Sequence, residues 1–136
     1  MYEHRGQLRF SDTDAMGHVN HARFATLFED ARIGLLRSIA GEGADLPANG
    51  MILARLEIDY VRPVVLDDDP VSVFARVVRI GTSSFSIDYA LEQRGAICAR
   101  GLSVLVAYDY ASASSRPLTA AERSQLETAR EGAPAV

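Results

Sequence analysis

The sequence predicts an α+β domain in which a five-stranded antiparallel sheet wraps around one long helix, with a second helix near the C-terminus. Three observations predict it. Apolar residues recur at spacings of three and four between positions 24 and 39, which marks an amphipathic helix. Four segments between positions 52 and 110 alternate apolar and polar residues, as half-buried strands do. Short turns separate these segments, which favours a meander. One helix cannot cover both faces of such a sheet, so it should lie on one face. The open edges and the bare face then predict pairing with a second subunit.

Taken in order, residues 7 to 12 read as a first strand, with Leu8 and Phe10 on one face. Residues 21 to about 40 read as the long helix. Phe24, Leu27, Phe28, Ala31, Leu35 and Ile39 form its apolar stripe, while Arg23, Glu29, Asp30, Arg32 and Arg37 fall largely off it. Gly41 and Gly43 stop it, and residues 41–50 form a loop. Ile52, Ala54, Leu56, Ile58 and Tyr60 alternate with charged residues, until Arg62-Pro63 ends or bends that strand. Asp67-Asp68-Asp69-Pro70 turns into Val71, Val73, Ala75 and Val77. Gly81-Thr82 turns into Phe85, Ile87, Tyr89 and Leu91. Arg94-Gly95 turns into a long strand from Ala96 to Tyr110, with Leu102, Val104, Val106 and Tyr108 on one face and Leu105 and Ala107 on the other. The last helix is expected over 119–130, where Thr119 and Glu122 have the spacing of a capping box. The chain reads as one domain over 1–136, with a frayed tail at 132–136.

Composition narrows the function. The chain has 136 residues and a net charge of −4 with no basic cluster, so a nucleic-acid partner is not expected. Every basic residue is arginine. Lysine catalysis is therefore excluded, and an anionic ligand must be held by Arg forks, backbone N–H groups or His. The single cysteine, Cys98, excludes an intrachain disulfide and fits a reducing cytosol. In mid-strand it reads as a small buried hydrophobe rather than a nucleophile. Met1 to Arg5 lacks the apolar core of a signal peptide, and no run is long enough to span a bilayer. A cytoplasmic location follows as the expectation.

The chemistry concentrates at Asp12-Thr13-Asp14-Ala15-Met16-Gly17-His18-Val19-Asn20-His21, where strand gives way to helix. Asn20 is an N-cap, because its side-chain oxygen satisfies an orphan N–H one turn in. His21 is then the first helical residue. Its backbone N–H has no intrahelical acceptor and sits at the positive end of the helix dipole, which is what an oxyanion needs. The His21 side chain is open between substrate contact and packing. Gly17 lets the chain bend tightly or a ligand approach closely. Asp12 and Asp14 are two apart, so a strand continuing through them would point both to one side. One is then free for catalysis while the other holds the loop by an Asx-type bond. His18 is expected to hydrogen-bond within the loop. No metal site is read from these acids and histidines, since the chain has three histidines and no second cluster.

These residues resemble the hot-dog-fold acyl-CoA thioesterases of the 4-hydroxybenzoyl-CoA thioesterase and YbgC-like family. The family's Asp-x-Asp-x-x-Gly loop stands here as Asp12 to Gly17. Phe28-Glu29-Asp30-Ala31-Arg32, Asp59-Tyr60-Val61-Arg62-Pro63, Asp69-Pro70-Val71, Ile80 to Phe85 and Arg116-Pro117-Leu118 follow in the family's order. The resemblance covers nearly the whole chain. It implies hydrolysis of an acyl-CoA or acyl carrier protein thioester without a cofactor. It also implies a homodimer or a dimer-of-dimers tetramer.

The resemblance implies that Asp14 attacks the thioester carbonyl or activates the water that does, with the oxyanion at the His21 N–H. Glu29 mimics the helix glutamate of another branch and ranks below Asp14. A thioester is already activated, so a carboxylate and a dipole suffice. Gly17, Asn20, Tyr60, Arg62, Ser83 and Ser84 are the candidate substrate contacts, with Arg62 and Arg79 the candidates for CoA phosphates. Two other readings remain: a hot-dog module that binds acyl-CoA or another apolar ligand without turnover, and a hot-dog hydratase or dehydratase. No serine nucleophile elbow is present.

Overall fold

A computed structural model describes residues 1–40 and 50–131. The order is β1 (Tyr2–Gly6), a 3-10 turn (Phe10–Asp12), α1 (His21–Ile39), β2 (Met51–Tyr60), β3 (Val71–Ile80), β4 (Ser84–Gln93), β5 (Ala96–Asp109), β6 (Ser114–Ser115) and α2 (Ala120–Glu131). The expected stop at Gly41 and Gly43, the loop up to residue 49 and the tail at 132–136 lie outside the described residues. The sheet is antiparallel with strand order β1-β3-β4-β5-β2, and the short β6 adds a sixth strand against the end of β5. No helix among the described residues is long and apolar enough to cross a membrane.

One face of the sheet carries the core. Rows of cross-strand neighbours run Val73–Leu91–Ala99, Ala75–Tyr89–Gly101 and Val77–Ile87–Ser103. Across this face α1 lays Phe24, Phe28, Ala31, Leu35 and Leu36, all buried. Phe28 stacks on Tyr89 with ring centroids 4.8 Å apart and planes 9° apart. Gly101 makes room for that stack: a Cβ there would lie 2.4 Å from the Phe28 ring. Arg32, expected off the stripe, is also buried. It meets Glu29 at 3.4 Å and the Tyr89 hydroxyl, which bonds Ser103 at 2.7 Å. A buried cation is tolerable only with such partners. Burial pushes the Tyr89 phenol above its ordinary pKa, while Ser103 and Arg32 pull the other way.

Three expectations are corrected. The first strand is Tyr2–Gly6 rather than 7–12. Tyr2, His4 and Gly6 face inward beside β3, while the Asp12 carboxylate accepts the Arg9 N–H at 2.8 Å and curls residues 10–12 into a 3-10 turn. Leu8 is buried and Phe10 is 83% exposed, so they do not share a face. On β2 the alternation breaks at a bulge between Leu53 and Arg55. A bulge inserts one residue and re-aims those that follow, so Ile52 faces outward while Leu56 and Ile58 face the core side. On β5 the two faces are as expected: Ser103, Leu105 and Ala107 are buried, and Leu102, Val104, Val106 and Tyr108 on the other face are half-buried. Lastly, only β3, β4 and β5 form a meander. The β2 strand pairs with β5, at the far edge from β3, so residues 61–70 must cross the end of the sheet.

Several turns follow the expected chemistry. Arg94 and Gly95 both take positive φ, 54° and 76°, as a two-residue hairpin turn of the primed type requires. At the start of α2, Glu122 N–H donates to Thr119 Oγ1 at 3.1 Å and Thr119 N–H donates to Glu122 Oε1 at 2.8 Å. This is the capping box read from the sequence. The Arg116 guanidinium adds a two-pronged contact to the same carboxylate, at 2.7 and 3.0 Å. Burial alone would raise the Glu122 pKa, but Arg116 and the Thr119 N–H outweigh it and hold it below its ordinary 4.5. A depressed carboxylate stabilises the fold above its unfolded pKa and loses that contribution as pH falls. Wild-type stability should therefore decline on acidification below pH 4.5. Glu122→Gln should cost about 2–3 kcal/mol at pH 7 and flatten that acid slope, as read by urea denaturation across pH.

Candidate active site

After β1 the chain builds a small closed loop before α1. Asn20 N–H donates to the Asp12 carbonyl at 2.7 Å, Thr13 and Val19 form a bridge, and Asp14 N–H donates to the His18 carbonyl at 2.8 Å. The tip turns at Asp14-Ala15-Met16-Gly17, closed by Gly17 N–H to the Asp14 carbonyl at 3.1 Å. Gly17 has φ +80°, and its missing Cβ would meet nothing within 4 Å. Backbone conformation, not space, is what demands glycine there.

Two acids that a strand would have aligned have different fates here. The Asp12 carboxylate is 10% exposed and lies 3.3 Å from Arg23 Nε, besides holding the Arg9 N–H. It is the clamp of the loop. Asp14 Oδ1 accepts the Met16 N–H at 2.8 Å and the His18 N–H at 3.3 Å. Its other oxygen has no partner among the described residues. Those bonds fix the Asp14 rotamer and leave one oxygen for a ligand.

The start of α1 closes the site. Asn20 caps it, its side-chain oxygen accepting the Ala22 N–H at 2.9 Å. His21 N–H, one residue earlier in the turn, has no acceptor among the described residues. Tyr60, the last residue of β2, donates its hydroxyl to the His21 carbonyl at 3.0 Å. Its ring stands edge-on to Phe24 with centroids 5.0 Å apart.

Asp14, His18, His21 and Arg62 supply the polar lining of a pocket of about 340 Å³. Val19, Phe24, Tyr60, Val61, Pro63 and Val64 supply the apolar lining. Asp14, His21, Tyr60 and Arg62, read separately from the sequence, are thus brought together. Gly17 and Asn20 shape the loop and the cap without lining the pocket. The His18 loop bonds run through its backbone, so its imidazole is left to line the pocket. Phe24 was legible only as a stripe residue. Val61 and Pro63 stood out only as part of the Asp59 to Pro63 segment and the strand end, and nothing marked them or Val64 as pocket walls, because their place depends on the strap of residues 61–70.

Ser83 and Ser84 lie elsewhere in the chain. Ser84 opens β4 while Leu91, seven residues on, is in the row that leads to Tyr60. Seven strand steps separate them from the pocket by roughly 20 Å. Arg79 pairs with Ser86 near that same far end. Glu29 is exposed and held by Arg32. Cys98 is buried, and its backbone carbonyl accepts the Val61 and Arg62 N–H groups at 2.8 and 3.0 Å. Among the described residues no group of three or more His, Cys, Asp or Glu is placed to hold a metal ion.

A family model for the thioesterase-like superfamily matches residues 8–128. A solved thioesterase from Thermus thermophilus, complexed with coenzyme A and Zn, is 35% identical with a TM-score of 0.85, covering 98% of this chain and 96% of that one. A predicted thioesterase from Bacillus stearothermophilus is 26% identical with a TM-score of 0.84, covering 94% and 95%. An uncharacterized protein of Bacillus subtilis (strain 168), YsmA, is 26% identical over 120 residues, which is 88% of this chain and 80% of that protein.

The loop geometry makes one direct prediction. Gly17→Ala should destabilise by about 1–2 kcal/mol, the strain of a side chain in the left-handed region. Gly17→Asn should cost less, because Asn tolerates that region. Denaturant midpoints of the two variants, measured side by side, check the order.

Proposed function

The chain belongs to the thioesterase-like superfamily, and from that premise we propose that it is an acyl-CoA thioesterase whose reaction runs between Asp14 and the start of α1. It is a thioester hydrolase. One observation carries the assignment of residues. A carboxylate held by two backbone N–H groups, with one oxygen unpartnered among the described residues, lines the same pocket as the residue at the first position of a capped helix.

In this reading the thioester carbonyl oxygen accepts the His21 N–H, where the helix dipole stabilises the developing negative charge. The free Asp14 oxygen takes a proton from a water molecule as its oxygen bonds to the carbonyl carbon. Collapse of the tetrahedral species breaks the carbon–sulfur bond, and the departing CoA thiolate takes up the proton. In the covalent variant Asp14 attacks the carbon itself, and water then cleaves the mixed anhydride. The relative that holds coenzyme A supports CoA as the carrier. Arg62, at the pocket rim, is suited to a CoA phosphate.

A second copy completes the assembly. The β2 strand is a ten-residue edge with exposed Ile52, Leu53 and Tyr60, followed by exposed Val61, Val65 and Leu66. Long apolar edges invite pairing. The body of α1 packs chiefly over β1 and β3, so β2 is covered only in part, with Met51, Leu56 and Ile58 reaching the core side. Antiparallel pairing of two β2 edges sets the Tyr60 end of one chain beside the Met51 end of the other. The β5 and β4 neighbours of that end carry Ala107, Val106 and Ser84. The Ser83–Ser84 turn of one copy is then directed toward the pocket of its partner, which reconciles those serines with a substrate role.

Thiol release from a panel of acyl-CoAs, wild type beside Asp14→Asn, is the test. Turnover should fall about 100-fold or more in the variant, the scale of a lost acid–base or nucleophilic group. Equal turnover in the two would sink the assignment of Asp14. A wild type that binds acyl-CoA by calorimetry and releases no thiol would favour a binding module. In labelled water, a single turnover that leaves ¹⁸O in Asp14 identifies the covalent variant. Separately, sedimentation should show at least a dimer, and Leu53→Asp should shift it to monomer with helix and strand signals retained. A monomeric wild type would exclude the β2 interface.

A further inference from the structure

Tyr60 holds a position that the chemistry so far leaves unexplained. Its hydroxyl bonds the His21 carbonyl at 3.0 Å. Its ring meets Phe24 at 5.0 Å, 78° from coplanar, and His21 at 6.4 Å, 83° from coplanar. It is half-exposed and lines the pocket. A tyrosine kept for packing alone buries its ring and needs no bond to the first turn of a helix. This one is placed where the strand ends and the helix begins, on the wall opposite the polar loop.

We propose that Tyr60 is a positioning and specificity residue: its hydroxyl fixes the first turn of α1, and its ring closes the acyl space, restricting the substrate to compact acyl groups. This rests on the thioesterase reading above and deepens it. Asp14 is set by its own loop, which is bonded to the strap at Val19–Val64. The His21 N–H is set by α1. The Tyr60 hydroxyl is a direct bond between that first turn and the end of β2, whose following residues Val61 and Arg62 lead into the same strap. It therefore sets the oxyanion donor against the carboxylate, and a small error in such an alignment is costly in rate.

A pocket of about 340 Å³ is at the small end of the roughly 300–1,000 Å³ range for small-molecule sites. It holds a thioester and a short or branched acyl group, while the rest of CoA lies outside. The Phe24–Tyr60 contact is its apolar end. Truncating Tyr60 opens that end, and truncating nothing else on β2 does so, since Asp59 faces away with Arg100.

The experiment measures kcat and KM for acetyl- through palmitoyl-CoA with wild type, Tyr60→Phe, Tyr60→Leu and Tyr60→Ala. The wild type should prefer compact acyl groups. Tyr60→Phe, which keeps the ring, should lower kcat about tenfold, the scale of one lost hydrogen bond, with KM changed less than about twofold. Equal losses in kcat and kcat/KM mark an interaction used in the transition state. Tyr60→Leu and Tyr60→Ala should move the preferred chain longer by about two to four carbons, since each methylene a pocket admits or excludes is worth about tenfold or more. Melting temperatures of Tyr60→Phe within about 3 °C of wild type, on the scale of under 1 kcal/mol, show that the rate effect is not unfolding. A wild type that prefers palmitoyl-CoA, or a Tyr60→Phe variant with unchanged kcat, or an acyl profile unmoved by both truncations, overturns the proposal. If those results come with turnover that still collapses in Asp14→Asn, the thioesterase reading stands without it. If the wild type releases no thiol from any substrate, both readings fall together.

Discussion

The backbone bond from Val19 N–H to the Val64 carbonyl, 2.7 Å long, joins the two parts of the chain on which the site depends. On one side is the loop that aims Asp14. On the other is the strap of residues 61–70, which exists because β2 lies at the far edge of the sheet from β3. The strap is held from two directions. Its start hangs on the Cys98 carbonyl through Val61 and Arg62. Further on, the Gln93 side chain accepts from Val65 N–H at 3.1 Å and donates to its carbonyl at 2.7 Å, replacing a strand partner with an amide. The strap runs along the surface with only Val64 buried, and the partners that hold its backbone come from β4 and β5. The loop is thus referenced to the middle of the sheet rather than to solvent.

The same constraint explains why the helix lies off-centre. Gly101 admits the Phe28 ring over β4 and β5, and Tyr2, whose hydroxyl comes close to Gly34, brings β1 under the helix. The first contact seats the helix over the middle of the sheet, and the second holds it against β1. Its N-terminus is meanwhile anchored beside β2 only through Tyr60 among the described residues. A helix docked by its body on one side and by its first turn on the other leaves β2 only partly covered: Met51, Leu56 and Ile58 pack against the core, while Ile52, Leu53 and Tyr60 are exposed. The exposed edge and the pocket are consequently neighbours, since Tyr60 belongs to both.

Much of this was legible because the signals are local. The 3.6-residue period and Asn20 set α1 from His21, and the side chain of Asn20 caps as its type requires. Thr119 and Glu122 announced α2 by a reciprocal pair of bonds three residues apart. What failed was non-local. Leu8 and Phe10 alternate like strand residues, yet the β3 edge selects Tyr2–Gly6, and the Asp12 carboxylate diverts the next residues. The bulge at Ala54 has no marker in an unbroken alternating run, because the register is decided by β5. The site shows the same division. Asp14, Gly17 and His21 were readable from motif and capping chemistry. The walls at Val61, Pro63 and Val64 depend on the strand order, which no local pattern encodes.

The difference between Asp12 and Asp14 shows how one loop produces two kinds of carboxylate. Asp12 is nearly buried and spends its oxygens on Arg9 and Arg23, so ionisation there serves the fold. Asp14 spends one oxygen on two backbone N–H groups, which orient it without neutralising it by a cation. Were Asp12 not to pair with it, Arg23, in the first turn of α1, would be a free guanidinium at the helix start. The clamp therefore does two things at once. It closes the loop, and it holds the guanidinium of Arg23 out of the pocket that Asp14, Arg62 and the start of α1 line.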